Sequence, residues 1–262
     1  MSGPGRPPRN PLGLFRTLIV MRMKAVRSLR EMTRLLDTDT RLRKLCLIKE
    51  KERGYPRSVL SRFTRKVRED NLTRIIEEKV VKLLKRNEAK NVDAVLDASF
   101  IKAWSIRHPK EGGRGYSDVE ARVGRTGRRY DLGYKLHLSI DSESMLPLTG
   151  LLVSANQNEK KHSLNMLEKT KHILKQAGAK LRSVIADSQY SDSKIRRAVD
   201  ETVIPYPANQ KRGVKGILRA DKKFRTYGPE DLKKKYHKRP HIEAVYSFLK
   251  TQYSLAINKI RG

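Results

Sequence analysis

The sequence predicts a mixed α/β sheet flanked by helices, preceded by an all-α N-terminal region. Three observations carry that reading. Apolar residues recur at helical spacing from Leu12 to about Arg86. After the polar junction Asn87–Asn91 the texture changes to short apolar or alternating runs. Those runs then interleave with amphipathic segments in the order β-β-β-α-β-α-β-α, the pattern of a sheet with helices packed on it. The boundary falls at residue 88, with a flexible arm and helical region over 1–88 and the sheet domain over 89–262.

The first eleven residues are rich in Pro, Gly and Arg and read as a flexible arm. Leu14, Leu18, Met21 and Ala25 share a helix face. Ser28 and Glu31 have the spacing of a capping box, which opens a helix through Leu36. Asp39 or Thr40 caps another through Cys46. Ser58, after the break at Gly54–Pro56, caps a helix to about Glu69. A further amphipathic run carries Leu72, Ile75, Ile76, Val80, Leu83 and Leu84. Short helices with basic faces suit a helix-turn-helix DNA-binding module; a basic bundle that only packs on the next domain has the same pattern.

In the second half, Val92–Phe100, Tyr134–Ile140 and Leu146–Val153 read as strands, with the turn Asp141–Ser144 between the last two. Residues 108–130, rich in Gly and Arg, read as a basic loop. Ser163–Gln176 reads as a helix stopped by Gly178. Leu181–Ala186 is a buried strand, Ser191 or Asp192 caps a helix to about Glu201, and Val203–Tyr206 is another strand. Residues 211–235 are basic and irregular. Pro240, suited to a first helical position, opens a last helix to about Asn258.

Charge narrows the function. The chain has 262 residues, with 59 Lys+Arg against 28 Asp+Glu and a net charge of +31. Residues 1–90 hold 25 basic and 10 acidic residues, so both halves are basic and a polyanion is the expected partner. Cys46, the only cysteine, excludes a disulfide framework and a Cys-based zinc site. His237 and His241 are four apart, but Pro240 lies between them, which disfavours a zinc pair. Arg16, Arg22 and Lys24 interrupt the most apolar stretch, so neither a spanning helix nor a signal peptide is expected. A cytoplasmic, nucleoid-associated protein follows as the expectation.

In so basic a chain, acidic residues inside apolar runs stand out. Asp97 lies within the strand Val92–Phe100. Asp187 directly follows Leu181–Ala186, at the strand end where open α/β sheets form their sites. Glu243 is in the first turn of the last helix. Each has an ordinary explanation: Asp97 pairs with a buried Arg, Asp187 caps a turn, and Glu243 complements the helix dipole. Their combination is more specific.

Tyr236, Arg239, Glu243 and Lys250 form the pattern Tyr-x2-Arg-x3-Glu-x6-Lys. This resembles the third acidic motif of DDE-type insertion-sequence transposases. Asp97–Ser99 resembles the first motif of that family, and Ala186–Tyr190, with Asp-x2-Tyr, the second. Gly5–Pro8, Arg27–Arg30 and Ser58–Phe63 resemble its N-terminal helical region. The resemblance covers nearly the whole chain, with the three acidic motifs in order.

That resemblance implies a ribonuclease-H-like catalytic fold, in agreement with the element order read from the pattern. It implies a DNA transposase that cleaves at transposon ends and transfers strands into target DNA. The alternatives are a non-catalytic DNA-binding remnant, or a related nuclease without strand transfer. Asp97, Asp187 and Glu243 would be the catalytic, metal-holding carboxylates, and Tyr190, Tyr236, Arg239 and Lys250 would contact DNA. Two Mg²⁺ ions are implied as cofactors, with Mn²⁺ able to substitute, because phosphodiester cleavage suits two such ions and Mg²⁺ takes hard oxygen ligands. The implied partners are the terminal inverted repeats, target DNA and a second copy of the chain, as a homodimer on DNA. Relatives usually continue further past the Lys250 position, so a C-terminally truncated copy is a further expectation.

Overall fold

The computed structural model describes residues 9–67, 69–103, 105, 107–110, 113–116, 118–127, 129–205, 234–253 and 255. The sole tryptophan, Trp104, and the basic segment expected at 211–235 fall outside them, apart from the last residues of that segment. The described chain divides into two compact units, with boundaries along the sequence at Thr73/Arg74 and Ser247/Phe248.

The first unit contains α1 (Pro11–Met23), α2 (Leu29–Thr38), α3 (Thr40–Leu45) and α4 (Arg57–Lys66). Their apolar faces meet in one core that includes Leu14, Met32, Leu36, Leu42, Tyr55 and Leu60. Asn10 caps α1 by accepting from the Leu12 and Gly13 amides. Ser28 caps α2 by accepting from Glu31 N–H at 3.1 Å, and Glu31 reaches back to Arg27 N–H at 3.2 Å. Asp39 caps α3 through the Arg41 and Leu42 amides. Ser58 does not cap α4: the helix begins a residue earlier, Pro56 is its N-cap, and no side chain bonds the first turn. Gly13 lies against Tyr55, where an added Cβ would meet the phenolic oxygen at 2.1 Å and the Cys46 carbonyl at 2.5 Å. Tyr55 donates to that same carbonyl at 3.0 Å, so a glycine is needed for α1 to pack.

The helix α5 (Glu69–Arg86) crosses the first boundary. Its Val80 and Leu84 are buried in the core of the second unit with Val92, Leu96, Met166, Leu167 and Val184. That core lies between a six-stranded mixed sheet and the helices packed on it. The strands are β1 (Asn91–Lys102), β4 (Arg122–Thr126), β5 (Arg129–Asp141), β6 (Pro147–Ser154), β7 (Lys180–Ala186) and β8 (Glu201–Val203). β1 is central, antiparallel to β5 and parallel to β7, which is parallel to β8. Both β4 and β6 pair with β5, β4 along its first residues and β6 along the rest.

Helices α6 (Glu159–Ala177) and α7 (Ser193–Ala198) follow β6 and β7, and α8 (Pro240–Gln252) comes last. α6 starts four residues before the Ser163 expected, because Asn158 caps it; Gly178 ends it in the left-handed region at φ +80°. The expected loop at 108–130 is instead partly strand. A separate hairpin joins β2 (Arg107–Lys110) to β3 (Gly113–Tyr116), and β4 extends the main sheet. β4 lies at an exposed edge, where charged and small residues pair through backbone alone, so it carries no apolar alternation to read.

The two serines separate by their caps. Ser28→Ala is expected to destabilise the protein by about 1 kcal/mol, and Ser58→Ala to leave urea unfolding of the helical unit unchanged. A loss at Ser58 as large as that at Ser28 would contradict the assignment.

Candidate active site

The parallel register of β1 and β7 brings two acids together. The last paired residues are Leu96 and Ala186, so Asp97 and Asp187 are the next residues on neighbouring strands. Asp97 sits mid-sheet with its side chain 13% exposed, and its own carboxylate accepts from the Ala98 amide at 2.8 Å. Burial pushes its pKa up to about 6. The negative charges of Asp187 and Glu159 push the same way, and the Ala98 amide and Arg239 oppose them. Asp187 caps a single 3₁₀ turn, Ser188–Tyr190, by accepting from Gln189 N–H at 2.9 Å.

Glu243 reaches this region through α8. Arg239, in the turn before the helix, lies 3.3 Å from Asp97 and 3.1 Å from Glu243. One guanidinium therefore links the first and third acids. Its Nε is buried with no acceptor among the described residues. One turn beyond Glu243, the buried hydroxyl of Tyr246 lies 2.7 Å from the Asp97 carbonyl and 2.8 Å from that of Leu136. Tyr246 thereby docks α8 on β1 and β5 and fixes the first turn that carries Glu243. Upstream, Lys238 pairs with Asp93 and Glu143, and His241 bonds the Ser142 carbonyl at 2.7 Å. His241 is thus engaged with backbone rather than paired with His237.

The other motif residues separate. Tyr190 is only 1% exposed, and its hydroxyl lies 3.1 Å from His137 Nδ1. The expected DNA contact at Tyr190 is corrected: its ring packs beneath the strand end because the 3₁₀ turn points it inward. Tyr236 accepts the Arg239 amide in the turn leading into α8. Arg239, expected on phosphate, is held by carboxylates. Lys250 lies further along the same helix, in the part that belongs to the helical unit; burial lowers its pKa below the ordinary lysine value.

Glu159 was not anticipated. It opens α6, lies close enough to Asp97 and Asp187 to raise the pKa of the first, and has its own pKa raised chiefly by burial. Lys135 Nζ pairs with it at 3.2 Å, and the Gln189 carboxamide lies 2.7 and 3.1 Å from its two oxygens. The only available signal was the Asn158–Glu159 pair, a cap followed by a first-turn acid. Among the described residues, no group of three His, Cys, Asp or Glu side chains is poised together as a metal cage. The donor set still suits a hard divalent ion, because it is carboxylate oxygen only and Arg239 already occupies the cationic position between Asp97 and Glu243.

Residues 88–262 match the family model described as the transposase DDE domain. The chain belongs to the transposase DDE domain family. The mixed sheet with flanking helices is the ribonuclease-H-like fold that membership implies, and the three acids lie within the matched span. Solved structures similar to this DDE-domain chain include the piggyBac transposase synaptic complex with hairpin DNA, at 11% identity and TM-score 0.37, covering 81% of this chain and 45% of that one. They also include the Mos1 transposase paired-end complex with the left transposon end, at 12% identity and TM-score 0.27, covering 99% and 83%. A third is the mariner Mos1 paired-end complex with Mn, at 12% identity and TM-score 0.25, covering 98% and 82%. The DDE-domain chain thus spans less than half the length of the piggyBac chain it matches. None of the curated proteins matches it. No helix among the described residues is long and apolar enough to cross a membrane.

His137 yields a test of the core behind these acids. It is 1% exposed, and burial, reinforced by His162 and Lys135, lowers its pKa to about 4. The unfolded imidazole takes a proton near pH 6.5, whereas the folded one does not until about 4. Stability is therefore full above pH 6.5 and lost as pH falls toward 4, by about 3 kcal/mol in all. The stability advantage of the parent over His137→Gln should shrink by about 2 kcal/mol between pH 7.5 and pH 5 in urea unfolding. A pH-independent difference would mean that His137 takes up its proton in the fold at the same pH as in the unfolded chain.

Proposed function

We propose that the chain is a DNA transposase, which cleaves at transposon ends and transfers strands into target DNA. The observation that carries this reading is the meeting of Asp97 and Asp187 on neighbouring strands, with Glu243 tied to Asp97 through Arg239. Membership of the transposase DDE domain family supports it, as does the net charge of +31.

In this reading Asp97, Asp187 and Glu243 hold two Mg²⁺ ions, for which Mn²⁺ can substitute. Those ions supply water activation and charge neutralisation at the leaving oxygen. The protein's own groups do the rest. Asp97, in the middle of the central strand, fixes the position of the other two acids around it. Tyr246 holds the first turn of α8 against β1, so Glu243 does not swing away. Arg239 balances the acids until DNA arrives, and its unpaired Nε–H then donates a hydrogen bond to a phosphate oxygen. Tyr236 and Lys250 remain proposed DNA contacts. A second copy of the chain would complete the assembly on paired ends.

Basic helices of the first unit would hold the element ends, while the acids hold metal. Two functions on separate residues should separate by mutation. Asp97→Asn, Asp187→Asn and Glu243→Gln are each expected to abolish Mg²⁺-dependent nicking of a supercoiled plasmid carrying the cognate ends. Each should keep its affinity for end DNA in gel shifts, because removing acid from a cationic surface does not weaken its hold on phosphate. A variant that nicks at the parental rate removes that residue from the site. Joining of freed 3′ ends to new DNA distinguishes a transposase from a nuclease.

A further inference from the structure

A groove of about 560 Å³ lies between the β4–β5 hairpin and the start of α6. On one wall Arg125 and Tyr130 face each other as a directly paired couple across β4 and β5, which puts their side chains on one face of the hairpin. Tyr130 is 71% exposed, unusual for so large a ring. Gly124 allows the hairpin to close on the opposite loop: an added Cβ would meet the Ala155 carbonyl at 2.4 Å. The facing wall carries Asn156, Gln157 and Lys160.

The inner end of the groove reaches the candidate active site. Lys135, Glu159, Ser188 and Gln189 line it, and Glu159 is the carboxylate whose charge is felt by Asp97. Glu159 is already paired with Lys135 at 3.2 Å. Arg125 and Lys160 therefore set the net sign of the groove, which is positive. Its lining combines an exposed aromatic ring, cations and side-chain amides. Those are the three elements by which proteins take hold of an unpaired nucleic-acid strand: stacking on the base face, charge for phosphate, and amide donors and acceptors for the base edge. In a duplex the base faces are covered by their neighbours, so Tyr130 can be used in this way only by unpaired bases. The volume is in the range of about 300–1,000 Å³ typical of ligand clefts, enough for one or two nucleotides.

We propose that this groove holds an unpaired stretch of the DNA strand leading away from the scissile phosphate, with a base stacked on Tyr130 and phosphates facing Arg125 and Lys160. The proposal rests on the transposase reading and adds to it a second DNA contact surface, separate from the helical unit and from the motif residues Tyr236, Arg239 and Lys250. It also gives Glu159 and Lys135 a role as the neutral inner wall between the groove and the acids.

The test uses the full chain with a fluorescein-labelled oligodeoxynucleotide, as a single strand and as a duplex of the same sequence. Tyr130→Ala should weaken single-strand binding about tenfold and leave duplex binding unchanged, since a stacking contact is lost. Tyr130→Phe should bind as the parent does, because the ring and not the hydroxyl is used. Arg125→Ala and Lys160→Ala should each lower the salt dependence of single-strand binding by about 0.7 in log–log slope. A single strand carrying 5-iodouracil should cross-link on irradiation to the peptide that contains Tyr130. Equal single-strand affinity of parent and Tyr130→Ala overturns the proposal, as does an equal loss on single strand and duplex, or cross-linking only to other peptides. If the parent binds neither form of DNA, the transposase reading itself fails; if it binds both and Tyr130→Ala changes neither, only the groove assignment fails.

Discussion

The candidate site depends on one carboxylate held where water scarcely reaches it. Asp97 belongs to the central strand of the sheet, with neighbours on both sides, and burial raises its pKa to about 6. A charge in such a place must be compensated. The Ala98 amide and the Arg239 guanidinium supply only part of this compensation. Because Arg239 directly precedes α8 and also pairs with Glu243, the need of Asp97 for a cation ties the end of the chain back to the middle of the sheet. Tyr246 strengthens that tie with hydrogen-bond distances to the Asp97 and Leu136 carbonyls. The third acid is therefore positioned by two interactions with the strand that carries the first.

The same logic explains why acids gather in a chain of +31. Asp93, buried at the other end of β1, is satisfied by Arg182, Ser183 and Lys238, and its pKa is lowered in spite of its burial. Asp97 has fewer partners, and its pKa rises instead. Two aspartates four residues apart on one strand thus have opposite electrostatic surroundings. The first anchors structure; the second is left short of positive charge. In the proposed function that shortfall is what a divalent cation meets, and Glu159, neutralised by Lys135, stays in the wall and not among the ligands.

Much of this was legible in the sequence, for physical reasons that differ between residues. Asp97 and Asp187 stood out because a charge inside or directly after an apolar strand is costly. The order of strands and helices followed from periodicity, and the caps at Ser28, Asp39 and Asn10 use short local bonds; the first two were expected. Tertiary facts were not legible. Nothing local reveals that Arg239 bridges Asp97 and Glu243 across more than 140 residues, or that the Tyr190 hydroxyl turns toward His137. β4 escaped notice because its one apolar side chain, Val123, is exposed, and the edge strand is held by backbone bonds to β5. The texture changes at residue 88, where helical spacing ends, whereas the packing changes inside α5, whose Val80 and Leu84 already belong to the sheet core.

The proposed function requires that Asp97, Asp187 and Glu243 together hold the divalent ions at one site. The most direct measurement replaces Mg²⁺ with Fe²⁺ in the DNA-bound protein and maps the backbone breaks made by locally generated hydroxyl radicals. Scission is expected at three separate places in the sequence, around residues 97, 187 and 243, and competition by excess Mg²⁺ should suppress all three together. Scission near only one of them, or clustered at the histidines of residues 237 and 241, would contradict the account.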